Sequence, residues 1–189
     1  MPDDHQHRLR RRPRDRAAFP TDLPAPMQVP AGVNPEAYAT NRCLLSVLMG
    51  RFMTTRLRSI YQAFDGDLTL ALVLGELSMR NIESVYPPHA SIARLAEQAL
   101  AAQRGETMRR LRPCNALSIA EVTGIPRETV RRKLGKLLDL GWIERTTDDM
   151  YVVTDKVSTV FGAFDDSQVA DLLTTADQLR EALAPPRTL

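Results

Sequence analysis

Apolar residues recur with a helical rather than a strand period over most of this chain. From Asn34-Pro35, an N-cap candidate followed by a proline suited to the first helical position, Leu45, Leu48, Met49, Phe52, Met53, Leu57, Ile60, Tyr61 and Phe64 fall on one broad face. The spacing predicts a helix of roughly thirty residues closed by Asp65-Gly66-Asp67, longer than the ordinary globular helix. So long a stripe is not buried within one small domain, and part of it is expected to face a second subunit. Asp67 is placed to cap LTLALVLGELSMRNIESVY, which is apolar on nearly all sides through Leu74. That predicts a central helix covered by its neighbours and stopped by Pro87-Pro88. A third amphipathic pattern spans Ser91–Gln103 through Ile92, Leu95, Ala96, Ala99 and Leu100, and Gly105 interrupts it before MRRLRP. Residues 1–33 have no period and hold Pro2, Pro13, Pro20, Pro24, Pro26 and Pro30, which predicts a disordered arm.

The pattern changes at Leu117–Thr154, which reads LSIAEVTGIPRETVRRKLGKLLDLGWIERTTDDMYVVT. Ser118 and Glu121 have the spacing of a capping box, starting a short helix that Gly124 ends. Gly124 can take the positive φ needed between two crossed helices, Ile125 can plug their junction, and Pro126 presets the first turn of the next helix. That helix turns Val130, Leu134, Leu137 and Leu138 inward, so its opposite face carries Arg127, Glu128, Arg131, Arg132, Gly135 and Lys136. Gly141 closes it. Trp142–Arg145 and Met150–Thr154 have the composition of two short strands around a Thr-Thr-Asp-Asp turn. A last helix is predicted over Asp166–Leu183, where Val169, Leu172, Leu173, Ala176, Leu179, Ala182 and Leu183 form an apolar stripe.

Charge sharpens this division. The net charge of +2 splits into +2 over residues 1–33, zero over 34–107, +5 over 108–145 and −5 over 146–189. The positive charge that a polyanion would seek is thus concentrated in the two-helix segment, while the tail is acidic. At 189 residues, 43% apolar and 25% charged, the chain suits one compact domain with extensions. No run approaches the roughly 18 apolar residues of a membrane span, and HRLRRRPRDR near the start is unlike a secretory signal, so a cytoplasmic protein is expected. Cys43 and Cys114 lack metal-ligand spacing and read as small buried hydrophobes. His5 and His7 are too sparse for a metal site, and His89 reads as an exposed loop residue. No catalytic motif or clustered His/carboxylate pattern is present, so neither an enzyme nor a cofactor is expected.

Helix, turn, helix and β-hairpin in this order resembles a winged helix-turn-helix domain, and Ala120, Gly124, Ile125 and Val130 match the helix-turn-helix signature. LLDLGWIER is similar to the end of the recognition helix and first wing strand of MarR-type regulators, and RETVRR is similar to the reading helix of the cyclic-nucleotide receptor/FNR regulators. The resemblance covers roughly forty residues and does not extend to a cyclic-nucleotide-binding β-roll, for which the helical N-terminal half has no strand pattern. The long, buried and C-terminal helices are more similar to MarR-type topology, although the connection over residues 87–113 is longer than usual there. The resemblance implies that Arg127, Glu128 and Arg132 contact base edges.

The side-chain chemistry agrees. Arg grips guanine O6 and N7 with two hydrogen bonds, and Glu accepts from cytosine N4. Thr129, Arg131, Lys133, Lys136, Arg145 and Thr146 are the candidates for the DNA backbone, with Arg109, Arg110 and Arg112 adding to the field. Asp148-Asp149 at the wing tip would repel phosphates, so a weak wing is expected. Arg8–Arg16 in the arm is either a solvated tail or a minor-groove insert. The basic helix face has a plainer reading too, as a solvated surface with Glu128 complementing the helix dipole.

The expected organisation is therefore a mainly α chain. It comprises an arm at 1–33, a helical dimerisation and sensor region at 34–113, a winged helix-turn-helix core at 114–157 and a C-terminal dimerisation helix at 158–189. The expected function is a bacterial-type winged-helix transcriptional regulator located in the cytoplasm, at the nucleoid, a homodimer reading a palindromic operator in double-stranded DNA with its two recognition helices roughly 34 Å apart. A small-molecule effector is a further candidate partner: Met49, Phe52, Met53, Tyr61, Phe64, Met79 and Tyr86 either line a pocket or form ordinary core and interface. The alternatives are a replication initiator or nucleoid-associated winged-helix protein, and a winged-helix module that binds another protein.

Overall fold

The computed structural model describes residues 29, 31–101, 110–146 and 148–184. Most of the expected arm, including His5, His7 and Arg8–Arg16, lies outside the described residues, as do Gln103, Gly105, Arg109 and Thr147. Among the described residues the chain is mainly helical with one two-stranded antiparallel sheet, in the order α1 (Pro35–Thr40), α2 (Arg42–Ala63), α3 (Leu68–Ile82), α4 (Ile92–Ala101), α5 (Ala116–Thr123), α6 (Arg127–Asp139), β1 (Ile143–Arg145), β2 (Tyr151–Val153) and α7 (Asp155–Leu183). None of these helices is long and apolar enough to cross a membrane.

Asn34 caps α1 through its side-chain oxygen, which accepts from the Glu36 and Ala37 amides, with Pro35 in the first turn. The single helix expected over 35–64 is two helices, because Asn41 interrupts it at φ −98°, ψ 11°. The Asn41 side chain donates to the Ala37 carbonyl at 3.1 Å and to the Ala182 carbonyl at 2.9 Å, so the interruption is tied to the end of α7. Asp65 and Gly66, both at positive φ, end α2 as expected.

Asp67 caps α3 by accepting from the Leu70 amide at 2.9 Å. The helix ends at Ile82, short of Pro87, through a turn in which the Val85 and Tyr86 amides donate to the Ile82 carbonyl. The expectation that neighbours cover α3 all round is corrected. Leu70, Val73, Leu74 and Leu77 are buried, but Leu68, Leu72 and Met79 are exposed, because α2 packs along α7 and leaves one face of α3 open. The buried face joins Ile119 of α5, Val130, Leu134 and Leu137 of α6, Ile143 of β1 and Tyr151 and Val153 of β2 in one core. The segments 34–113 and 114–157 therefore share a core rather than dividing at 113.

Asn81 sits inside this core, 0% exposed. Its side chain donates to the Arg112 carbonyl at 2.8 Å and the Tyr151 carbonyl at 3.2 Å and accepts from the Val153 amide at 2.9 Å. One side chain thus joins α3, the strand-like segment before α5 and β2, and it satisfies polar groups that the hairpin alone leaves open. β1 pairs with β2 through Ile143 opposite Val153, and the far edge of β2 pairs with Cys114 through Tyr151. Cys114 is buried as expected, and burial, the largest influence, pushes its thiol up to about 11, assisted by Glu76 and opposed by Arg80. Cys43, expected to be buried, is exposed on α2.

The C-terminal helix begins at Asp155, well before the expected Asp166, so the boundary drawn at 157 falls inside it. Its first turns carry Val157, Phe161 and Phe164 at helical spacing, and Phe161 stacks on Phe64 with ring centroids 5.2 Å apart. Farther along, Arg56 of α2 pairs with Asp171 of α7. Arg56 is 8% exposed, and its Nε and Nη1 have no partner. The guanidinium is thus desolvated but only partly compensated. Asp171→Ala, which strands this buried charge, should lower stability by about 2 kcal/mol, whereas Arg56→Met should leave it unchanged or raise it by about 1 kcal/mol. Urea unfolding of the two variants checks the asymmetry.

Candidate nucleic-acid interface

The short helix that precedes the turn starts earlier than its sequence suggests. Asn115, in extended conformation, caps α5 by accepting from the Ser118 amide at 2.9 Å, so the Ser118/Glu121 capping box does not form. The earlier start buries Ala116 and Ile119 together, which a helix beginning after Ser118 would not do. Gly124 ends α5 at φ +67° with its amide on the Ala120 carbonyl at 2.9 Å, the left-handed conformation expected of it. Thr123 Oγ1 accepts from the Ile125 amide at 3.3 Å, and Ile125 packs half-buried against the core. Pro126 occupies the N-cap position rather than the first turn, and α6 begins at Arg127.

Val130, Leu134 and Leu137 of α6 are all 0% exposed, which fixes the rotation of the helix about its axis. At 100° per residue, Glu128 and Arg132 then stand almost opposite the core, with Arg131 and Lys136 to either side. All four are exposed, Gly135 between them is half-exposed, and Thr129 lies half-buried at the edge. Arg127 is exposed on the flank nearest the hairpin, where it and Arg131 share a shallow pocket of about 190 Å³ with Asp148 and Asp149. Among the described residues, Arg127, Arg131 and Arg132 form no ion pair. The structure therefore brings Glu128, Arg131, Arg132 and Lys136 onto one open face, with the hairpin acids beside its N-terminal end.

Lys133 is placed elsewhere. Its Nζ lies 2.7 Å from both carboxylate oxygens of Asp67, with the two side chains only 16% and 18% exposed. It is held between α6 and the start of α3 and is not part of the open face expected to contact the DNA backbone. Lys136 reaches the same carboxylate at 3.5 Å but remains 52% exposed. Burial alone would raise the Asp67 carboxyl, but hydrogen bonds from Lys133 and the Leu70 amide, with the charges of Lys133 and Lys136, hold it below its ordinary value.

The hairpin contributes less free charge than its composition suggests. Arg145 pairs with Asp149 across the turn, and this hydrogen bond and charge raise the guanidinium above its ordinary value. The Thr146 hydroxyl lies 3.4 Å from the Met150 carbonyl, to which the Thr146 amide also donates at 2.8 Å. Arg110 and Arg112 have exposed side chains on a segment anchored by its backbone: the Arg110 carbonyl accepts from Ser84 Oγ and the Arg112 amide donates to the Asn81 carbonyl. Asp67 caps α3 as expected, but its hold on Lys133, the hydrogen bonds of Asn81 and the capping of α5 by Asn115 are not expected from the sequence. The available signal for Asn81 was its helical spacing, four and seven positions after Leu77 and Leu74, which puts a polar side chain on the apolar stripe of α3.

Of the residues considered for a sensor pocket, only Phe64 lines the large cavity between α2, α3 and α7. Met49, Met53, Tyr61 and Met79 are exposed, and Phe52 and Tyr86 are half-buried away from it. Compared with known proteins, the chain matches no family model, no curated protein and no solved structure.

Proposed function

We propose that this protein is a winged helix-turn-helix DNA-binding regulator in which α5 and α6 are the helix pair, α6 reads the major groove, and β1–β2 is a short wing. The observation that carries this reading is the outward face of α6. Glu128, Arg131, Arg132 and Lys136 stand exposed opposite three fully buried residues, immediately after a left-handed glycine turn. In this reading Arg132, Glu128 and, from the flank, Arg127 contact base edges, while Arg131 and Lys136 hold phosphates. The wing stays shallow, because its Asp148 and Asp149 face phosphates and its Arg145 is already paired.

A homodimer fits the long helices. α2 carries four Arg and no acid, α7 carries six acids against two bases, and Val47, Met53, Val169, Leu172 and Leu173 are exposed apolar residues on the same two helices. In a two-fold interface the α2 of each copy can meet the α7 of the other, satisfying charge and apolar surface twice.

Binding of the full chain to specific and random duplexes at two salt concentrations tests the reading. Arg132→Ala should reduce discrimination between the duplexes by about 1–3 kcal/mol, and Lys136→Ala should weaken both while lowering the salt slope by about one. The acids beside Arg127 and Arg131 favour a second reading, a winged-helix module that binds protein. It predicts that residual DNA affinity is insensitive to Arg127→Ala and Arg132→Ala.

A further inference from the structure

Between α2, α3 and α7 lies a cavity of about 680 Å³ with almost entirely apolar walls. Leu74 and Phe64 form its inner side, while Leu57, Leu68 and Leu72 border it at 51%, 42% and 51% exposure. Three large aliphatic side chains half in water around one concavity is an arrangement that covering by an apolar body would stabilise. Gly75, in the middle of α3, also borders it, and a β-carbon there would meet nothing within 4 Å. A mid-helix glycine costs stability relative to alanine, and here its effect is to keep the cavity open.

The charges around the cavity are of one sign. Its lining includes Glu76 and Asp165 but no Lys, Arg or His. Glu76 is paired with Arg80 at 2.8 Å, whereas Asp165 is exposed and makes no ion pair among the described residues. An anionic head would meet a carboxylate with no cation to offset it, and a cationic head would find one.

The wall is also mechanically connected to α6. Phe64 and Phe161, both lining the cavity, are stacked at 5.2 Å, and Trp142 meets both edge-on at 5.8 and 5.2 Å. The Trp142 amide donates to the Leu137 carbonyl in the last turns of α6, and its carbonyl accepts from Thr154 at the start of α7. A body that displaces either phenylalanine therefore bears on the residue joining α6 to the hairpin.

We propose that this cavity binds a small amphipathic molecule with an apolar body and a neutral or cationic head, and that occupancy is passed to the end of α6 through Phe64, Phe161 and Trp142. The inference does not depend on DNA binding, and its test is read without DNA. Trp142 is the single tryptophan of the chain and hence a built-in reporter.

The experiment titrates the full chain with tetraphenylphosphonium and, as its isosteric anion, tetraphenylborate, following Trp142 emission excited at a wavelength neither absorbs and measuring affinity by equilibrium dialysis. Tetraphenylphosphonium should bind and shift the emission, and tetraphenylborate should bind about tenfold more weakly, a difference of about 1.4 kcal/mol. Gly75→Leu fills the cavity while removing a helix glycine, and should weaken the cation by about tenfold or more with the circular dichroism spectrum unchanged. Asp165→Lys, at an exposed site, should invert the preference between the two ions and serves if Gly75→Leu does not fold. Equal affinity for both ions, no emission change, or cation binding unaffected by both substitutions would overturn the proposal. So would binding that disappears as rising protein concentration drives dimerisation, since the cavity would then be an interface between copies.

Discussion

Asn81→Leu should lower the stability of the protein by about 3 kcal/mol, although the two side chains are nearly the same size and leucine is the better helix former. The substitution leaves the buried Val153 amide and the part-buried Arg112 carbonyl without their partners beside a side chain that is itself 0% exposed. The Tyr151 carbonyl is less affected, because it also accepts from the Cys114 amide at 3.1 Å. Each stranded buried group costs about 1–3 kcal/mol, against which the extra apolar burial returns about 1 kcal/mol. For a chain of this length the net loss corresponds to a fall of about 6–12 °C in melting temperature, measurable by calorimetry. Asn81→Asp should be worse than Leu: it keeps the acceptor for Val153 but replaces two donations with a buried charge facing the Arg112 and Tyr151 carbonyls. A loss below about 1 kcal/mol for Leu would mean that the hairpin is held by its own pairing and the aromatic cluster, and that Asn81 is incidental.

The role of Asn81 marks where the sequence stops being readable. Gly124, Ile125 and the Val130, Leu134, Leu137 repeat specify a turn and a helix rotation through local geometry, and the structure places them as expected. The partners of Asn81 lie 31 to 72 positions away, so no window of sequence contains its hydrogen bonds. Ser118 has the spacing of a cap, yet Asn115 performs it, because both residue types serve at that position and burial of Ala116 decides between them. Helix α7 begins early for a similar reason. Val157 and Phe161 pack half-buried against the core because Phe64 and Trp142 stand opposite Phe161, and Phe164 joins Phe161 edge-on. The basic face of α6 was legible as a surface. Which of its cations are free was not, since Lys133 is claimed by a carboxylate 66 positions earlier.

That carboxylate should carry the main part of the acid sensitivity of the α3–α6 contact. Asp67 caps α3 and binds Lys133 with both oxygens, and its pKa in the folded protein lies below the unfolded value near 3.8. A depressed carboxyl contributes stability that is fully present above the unfolded pKa and disappears as pH falls through the folded one. The loss should therefore occur below about pH 4, with no change attributable to Asp67 between pH 5 and 8. Asp67→Ala removes the cap, at about 1 kcal/mol, and strands a half-buried ammonium, at about 1–2 kcal/mol more, so a loss of about 2–3 kcal/mol is expected at pH 7. Lys133→Met alone leaves the cap and the Lys136 contact in place and should cost less than about 1 kcal/mol, since the methionine side chain keeps the packing. The double variant should recover part of the Asp67→Ala loss, giving a coupling energy of about 1–2 kcal/mol at pH 7 that shrinks as pH falls below about 4. Coupling that does not shrink below about pH 4, or none at pH 7, would show that the pair is not what joins the two helices. Because the pair grips the inner edge of α6, both substitutions should leave the outward Arg132 and Glu128 in place. On the proposed DNA-binding reading, Lys133→Met should then change the salt dependence of binding by much less than Lys136→Ala does. The two lysines, three positions apart on one helix, share one aspartate unequally: Lys133 is enclosed against it, whereas Lys136 touches it at 3.5 Å and stays 52% exposed.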